Sequence, residues 1–361
     1  MWERSKHTTR LRSKDCKAAW HKIQQKEFTD PMDSDTQRFL TDHLGLVDFR
    51  LRPIEKGGSD RVFSRVLLAD GRTFVFMHYG TEVEENGYWV EINRFLNELN
   101  IPVPLIIAFD QRQRFLLLED LGEIDLYMLR TLPWYKRRPF YLKALSEIHR
   151  LHRVGLTDVP ADLKMAQGYD RSLYAWEHDY FRRNFVEAVC GLTLSDAELR
   201  DWQGESAALI DRLTRISPCL IHRDFQSQNI LIKNDRPVFI DFQGMRTGNL
   251  FYDLGSLICD PYVTFTPDER SELIAFYYRI MEPDYSLDQF TDFFWEGAAQ
   301  RLMQALGAYG FLGLKKNKPD FLKHTATGIK NLAAATSYIG DLPVLNEIAR
   351  NCLNKISSKP A

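Results

Sequence analysis

The chain has 361 residues, 44% hydrophobic and 27% charged, a globular balance with enough apolar surface for two lobes or domains. Lys plus Arg is 47 against 49 Asp plus Glu, a net charge of −2, which lacks the basic footprint of a nucleic-acid binder. No apolar run approaches the ~18 residues of a membrane span, and the five scattered cysteines offer neither a disulfide framework nor zinc-ligand spacing. A reducing, cytoplasmic setting is expected, with neither a membrane nor a nucleic acid as partner; no protein partner is inferable.

Residues 1–31 carry no helical period, and Met1 to Asp30 hold eight Lys and Arg against four Asp and Glu. This stretch reads as a weakly basic tail, or as the product of a wrongly chosen start codon, with Met32 the alternative start. Residues 32–119 read as a strand-rich lobe. Val62 to Leu68 and Thr73 to His78 are β-rich runs separated by Ala69-Asp70-Gly71-Arg72, and an Asp-Gly pair in that place signals a hairpin. A helix bearing Val90, Ile92, Phe95 and Leu96 follows, then strands at Pro104 to Phe109 and Phe115 to Leu118.

Residues 120–361 read as mainly helical. Tyr141, Ala144, Leu145, Ile148, Leu151 and His152 share one helical face. Ser195 and Glu198 have capping-box spacing ahead of another helix. A β-like island interrupts the helices from Cys219 to Phe242. The expected fold class is therefore α+β and two-lobed, with a strand-rich N-lobe and a helical C-lobe.

Chemistry concentrates in that island. His222-Arg223-Asp224-Phe225-Gln226-Ser227-Gln228-Asn229 lies between apolar runs, and a strand from Val238 then ends in Asp241-Phe242. Phosphoryl transfer needs a carboxylate to take the acceptor's proton and oxygen ligands for Mg²⁺ on the phosphates. Asp224 is the candidate base, and Asn229 and Asp241 are the candidate metal ligands. Each alone would be better explained as a turn residue capping backbone groups; the joint spacing favours catalysis.

Lys56-Gly57-Gly58-Ser59-Asp60-Arg61, between two strands, is a candidate phosphate-covering loop, with Gly57, Gly58, Ser59, Asp60 and Arg61 as nucleotide contacts. Such a run is also an ordinary turn. Glu119, in Leu117-Leu118-Glu119-Asp120-Leu121-Gly122, stands at the lobe junction, where an extended linker would meet adenine through backbone groups; a strand ending in an acidic turn accounts for the segment nearly as well. The strand expected to carry a phosphate-neutralising lysine offers Met77 and His78 instead. Arg61, Arg65 or Lys56 would have to compensate, and Glu91 lacks an evident lysine partner. His149 and His152 have HxxH spacing without the glutamate of a zinc protease, and a packing role suits them better.

These residues resemble the aminoglycoside phosphotransferase and choline kinase-like superfamily, which implies the two-lobed protein-kinase-like fold and ATP with Mg²⁺ as cofactors. Gln226 and the short interval from Asp241 to Asn249-Leu250-Phe251-Tyr252-Asp253-Leu254 separate the chain from protein kinases. The resemblance implies that Asp253 braces the catalytic loop around His222. Ile240 to Gln243, Tyr252 to Leu254, Asp260-Pro261-Tyr262 and Gln300 to Tyr309 look like bacterial N-acetylmuramate/N-acetylglucosamine anomeric kinases. That likeness implies a small sugar-like substrate, its anomeric hydroxyl as acceptor, and Gln300 and Arg301 as substrate contacts, although a polar face on a packed helix would account for that pair as well. It also covers a methionine at position 77. An aminoglycoside or choline-like acceptor, and an inactive nucleotide-binding protein, remain the alternatives.

Overall fold

The structure is a computed structural model that describes residues 33–45, 48–54 and 60–358. The candidate tail 1–31 and Lys56, Gly57, Gly58 and Ser59 of the candidate phosphate loop lie outside the described residues. The chain has a five-stranded antiparallel N-lobe sheet and a helical C-lobe.

Asp33 caps the first helix, α1 (Ser34–Leu44), by accepting from the Asp35 and Thr36 amides. The strands follow as β1 (Phe49–Ile54), β2 (Arg61–Leu68), β3 (Thr73–Tyr79), β4 (Ile106–Asp110) and β5 (Phe115–Glu119), ordered β1-β2-β3-β5-β4. The Asp-Gly turn closes as expected: the Leu68 amide donates to the Arg72 carbonyl at 3.0 Å, and Gly71 takes a φ of +88°. Helix α2 (Trp89–Glu98) buries Trp89, Ile92, Phe95 and Leu96. The expected strand from Pro104 starts two residues later, at Ile106, and an irregularity between Ile106 and Ala108 shifts its register.

Period-two alternation divides the sheet between two cores. Val66, Leu68, Phe76, Phe115 and Leu117 pack with Phe39 and Leu40 of α1. Met77, Tyr79, Leu116 and Leu118 belong to the larger core shared with α2 and the C-lobe. Cross-strand pairing of Arg61 with Tyr79, Phe63 with Met77 and Arg65 with Val75 puts both arginines on that same inner face.

The C-lobe comprises α3 (Trp134–His152), α4 (Arg171–Phe181), α5 (Asp196–Arg215), α6 (Leu250–Ile258), α7 (Pro267–Met281), α8 (Leu287–Gly310), α9 (Thr325–Ser337) and α10 (Pro343–Ser357). The capping box at Ser195 and Glu198 is formed, with the Ser195 amide donating to the Glu198 carboxylate at 2.7 Å. α3 buries the expected face from Tyr141 to His152. Its two histidines both turn to the Tyr277 hydroxyl, His152 Nδ1 at 2.6 Å and His149 Nδ1 at 3.4 Å.

Two small ladders carry the candidate site: β6 (Cys219–Ile221) with β9 (Arg246–Gly248), and β7 (Ile230–Lys233) with β8 (Arg236–Phe239). The β7–β8 hairpin turns on Asn234 and Asp235, both at positive φ as a two-residue hairpin demands. β9 lies beyond the expected limit of the island at Phe242. Arg246, Thr247 and Gly248 give no alternating apolar signal of their own.

Helices α6 and α8 touch through glycines. A Cβ on Gly297 would lie 2.5 Å from Phe251 Cβ, and one on Gly255 would lie 2.6 Å from Ala298 Cα. Gly297→Ala should therefore destabilise the fold by about 1–3 kcal/mol despite alanine's better helix propensity, because the opposing atoms are close to backbone and cannot swing away. Chemical denaturation measures this, and a stability equal to or above wild type would refute the contact.

Candidate active site

Residues 222–229 leave β6 as a loop whose backbone Asp253 holds from α6. The Asp253 carboxylate accepts from the His222 amide at 2.7 Å and the Arg223 amide at 2.8 Å, and from His152 Nε2 at 3.1 Å. His222 Nε2–H donates to the Ile240 carbonyl at 3.1 Å, tying the loop to the strand that leads to Asp241. Asp260 grips the far end through the Ser227 amide at 2.8 Å. With three such anchors the loop tolerates Arg223 at φ +77°, a conformation a long side chain adopts only when its surroundings impose it.

Asp224 sits between two arginines. Arg223 Nη1 pairs with its Oδ2, and Arg301 Nη2 reaches its Oδ1 at 3.3 Å from α8. The Asn229 amide donates to the Asp224 carbonyl at 3.0 Å and contacts Asp241 Oδ2 at 3.5 Å, so the loop brings all three residues together. Asp241 adopts φ +65° just after β8, where an aspartate is tolerated. Its Oδ1 accepts from Gln243 at 3.0 Å and from the Arg61 guanidinium, which spans the lobes and also donates to Gln243 Oε1 at 2.9 Å. Burial raises the Asp241 carboxyl, but the Arg61 charge and these hydrogen bonds outweigh it, and the net shift is downward.

Asn229 Oδ1 accepts no hydrogen bond among the described residues, and Asp241 Oδ2 has only the long Asn229 contact. Two side chains with hard oxygen atoms left unspent by the protein thus stand next to each other. Among the described residues no group of three or more His, Cys, Asp or Glu could enclose a metal. A two-ligand site of this kind suits Mg²⁺, which keeps waters and completes its shell with phosphate oxygens.

Several expected site residues stand elsewhere. The Asp60 carboxylate accepts from the Glu82 amide at 3.1 Å and from Asn86 Nδ2 at 2.6 Å, so it braces the segment after β3. Glu119 takes Lys233 Nζ at 2.6 Å on its carboxylate, and its own amide donates to the Leu105 carbonyl. Both groups are engaged within the protein, at the lobe junction. Arg65 is also consumed there, with Nε 2.7 Å from Asp120 and further bonds to Gly122 and Glu123. It cannot replace the missing lysine. Met77, at that lysine's place, is 1% exposed, and Glu91 is exposed on the outside of α2.

Gln300 is 0% exposed and bonded at both ends, donating to Glu177 at 2.8 Å and accepting from His178 Nε2 at 2.6 Å. Burial pushes His178 down to about 4, so its ring is a neutral donor there. The expectation of substrate contact fails for Gln300, whose amide joins α8 to α4. Arg301 is also buried, held by Ser256 and Gln304, and touches Asp224 itself.

Sequence reasoning missed the surroundings of Asp224. Tyr169 and Tyr252 both donate to Glu177, at 2.8 and 3.2 Å, beneath Arg223. Tyr180 lies beside Arg223 and stacks on the half-exposed Trp176 with ring centroids 4.8 Å apart. Tyr262 lies within electrostatic reach of both Asp224 and Arg301. A π-helical segment at Arg182–Glu187 continues α4, where Gly310 approaches the Asn184 carbonyl too closely for any side chain. Of these surroundings only Tyr252 and Asp260-Pro261-Tyr262 carried a sequence signal.

An N-lobe sheet over a helical lobe, with a carboxylate, an amide and a second carboxylate converging between them, is the layout of a kinase-like phosphotransferase. The chain belongs to the phosphotransferase enzyme family, whose sequence model matches residues 50–286. It is similar to the N-acetylmuramate/N-acetylglucosamine kinase of Pseudomonas putida, 31% identical over 202 residues. That match covers 56% of this chain and 57% of the relative's length. The protein of that name from Neisseria meningitidis is 24% identical over 283 residues, 76% of this chain and 82% of the relative. Among solved structures, a gentamicin complex of APH(2")-IIa superposes with a TM-score of 0.59 at 15% identity, covering 86% of this chain and all of that one. An ethanolamine kinase from Plasmodium vivax gives 0.57 at 15% identity over 93% and 95% of the two chains. The chain is thus a small-molecule phosphotransferase with the protein-kinase-like fold.

Proposed function

We propose that the chain transfers the γ-phosphoryl group of ATP to the anomeric hydroxyl of an N-acetylated amino sugar. The observation that carries this reading is the environment of Asp224. Arg223 and Arg301 both touch it, the Tyr262 ring lies within electrostatic reach of it, and Tyr180, stacked on Trp176, lies beside Arg223. A polycationic aminoglycoside or a quaternary amine calls for carboxylates or an open aromatic cage, and two guanidinium groups at the base oppose both. A sugar bearing hydroxyls and an amide suits aromatic faces and mixed hydrogen-bond donors. The names of the relatives from Pseudomonas putida and Neisseria meningitidis support the same acceptor.

In this reading Asp224 takes the proton of the attacking hydroxyl, held in place by Arg223 and Arg301. The sugar oxygen gains the phosphoryl group and ADP leaves. Asn229 and Asp241 would hold Mg²⁺, which when bound offsets phosphate charge. Arg61, on the N-lobe inner face and paired with Asp241, supplies positive charge where Met77 supplies none. Asp253 and His222 keep the loop's shape. A hemiacetal hydroxyl is more acidic than an ordinary alcohol, which reduces the proton-transfer work asked of a carboxylate.

The test is a coupled ADP-release assay over N-acetylglucosamine, N-acetylmuramate, choline and kanamycin-like amines, with reducing ends titrated in parallel. Loss of reducing ends in step with ADP release is the expected result. ADP release with reducing ends intact moves the phosphate to another hydroxyl. ATP binding with no ADP release on any acceptor favours an inactive nucleotide-binding protein.

A further inference from the structure

We infer that Arg223 and Arg246 form a carboxylate-binding subsite beside Asp224, so that the enzyme prefers an amino sugar bearing a carboxylate substituent over the neutral sugar. The inference rests on the sugar-kinase reading above and adds the part of the substrate that the arginines read.

Pairing of Ile221 with Arg246 between β6 and β9 sets Arg246 next to the start of the catalytic loop. Gly244 marks how near the two side chains come. A Cβ placed there would lie 3.8 Å from Arg223 Cδ and 4.0 Å from Arg246 Nη2. The Arg223 stem and the Arg246 guanidinium therefore border one small space. Gly244 fills it with no side chain of its own.

Their hydrogen-bonding capacity is underused. Arg301, by contrast, is committed to Ser256, Gln304 and Asp224. Arg223 spends Nη1 on Asp224, and its buried Nε has no partner. Arg246 donates Nε to the Gly244 carbonyl at 3.0 Å and rests over the Tyr169 ring, 5.5 Å from its centroid. The nearest carboxylate to Arg246 is Glu85, 3.9 Å away, beyond a hydrogen bond and on the half-exposed segment before α2. Glu177, the other acid in the neighbourhood, is shut beneath the tyrosines, and burial raises its carboxyl.

Two neighbouring guanidinium forks with spare N–H groups offer one carboxylate charge-assisted hydrogen bonds from both sides. Arginine's planar fork suits a carboxylate better than it suits a lone hydroxyl. With the reacting hydroxyl at Asp224, an acid elsewhere on the same sugar ring meets Arg223 and Arg246, while Tyr180 and Trp176 offer the ring a face.

The experiment has a kinetic arm and a binding arm. In the first, kcat/KM is measured for N-acetylmuramate, which carries a lactyl carboxylate, and for neutral N-acetylglucosamine, in wild type, Arg246→Met and Arg246→Lys. The acid-to-neutral ratio should fall about 10- to 100-fold in Arg246→Met, the loss of a charge-assisted pair, and only partly in Arg246→Lys. Equal losses for both sugars, or no loss for either, overturn the subsite. The second arm uses the methyl glycosides of both sugars, which lack the anomeric hydroxyl and cannot react there. Calorimetry should find the acidic glycoside tighter in wild type, with the advantage lost in Arg246→Met and reduced by salt. Acid-selective binding without anomeric transfer would leave the subsite standing and remove the anomeric reading. Equal binding of the two glycosides refutes the subsite whatever the enzyme phosphorylates. Arg246→Lys, which keeps the charge, serves if Arg246→Met fails to fold.

Discussion

Asp224→Asn is expected to reduce turnover about 10²–10⁴-fold, or roughly 3–5 kcal/mol of barrier, while leaving the fold and nucleotide affinity intact. Asparagine has nearly the volume of aspartate, and the groups that shape the loop act on its backbone. Asp253 holds the amides of residues 222 and 223, and Asn229 holds the carbonyl of residue 224, none of which the substitution alters. What changes is the pairing with Arg223 and Arg301, since an amide offers one acceptor oxygen where the carboxylate offered two. The guanidinium groups lose an anion but keep Gln304 and Ser256 as partners on the Arg301 side. The damage should therefore appear in kcat, with ADP binding by calorimetry and the melting temperature close to wild type. Near wild-type turnover in the purified variant would remove Asp224 from the mechanism.

What could be read from sequence was what depends on neighbours along the chain. The hairpin at Asp70-Gly71, the capping box at Ser195 and Glu198, and the buried face of α3 each follow from turn chemistry or periodicity within a few residues. The spacing of Asp224 and Asn229 belongs to one loop, so their approach was equally legible. The rest depends on pairs that the fold alone brings together. Arg301 reaches Asp224 from 77 positions away, and Arg61 reaches Asp241 from 180. Arg65 looked like a spare phosphate cation because Asp120 and Glu123, its partners, lie two strands further on. Gln300 was expected at the substrate only through the resemblance of the Gln300 to Tyr309 run to the sugar kinases, and the alternative, a polar face on a packed helix, is what the fold shows. Its actual partners, Glu177 and His178, come from a helix with no recognisable motif.

The sharpest comparison among the metal-site residues is between Asp241→Ala and Asn229→Ala. The two proposed ligands lie side by side, with Asn229 Nδ2 3.5 Å from Asp241 Oδ2, but Asp241 carries a full negative charge and Asn229 a carbonyl dipole. Charge at close range dominates in a partly buried site, so the aspartate should matter more. Asp241→Ala is expected to cost on the order of 10³-fold or more in turnover, the scale of several kcal/mol of charge stabilisation. Asn229→Ala should cost less and be partly recovered at raised Mg²⁺. Asp241 also anchors Arg61 and Gln243, so its removal releases the contact between the lobes as well. Arg61→Ala separates these two effects, because it breaks this lobe contact while leaving Asn229 and Asp241, the proposed ligands, in place. If Arg61 stands in for the lysine absent at Met77, its loss should weaken ADP several-fold and leave adenosine, which has no phosphate, unaffected. Magnesium titrations of turnover and calorimetry with ADP and adenosine measure the three variants on one scale. An unchanged magnesium requirement in Asp241→Ala would sink the metal assignment, and equal losses for ADP and adenosine in Arg61→Ala would reduce that arginine to a strut between the lobes.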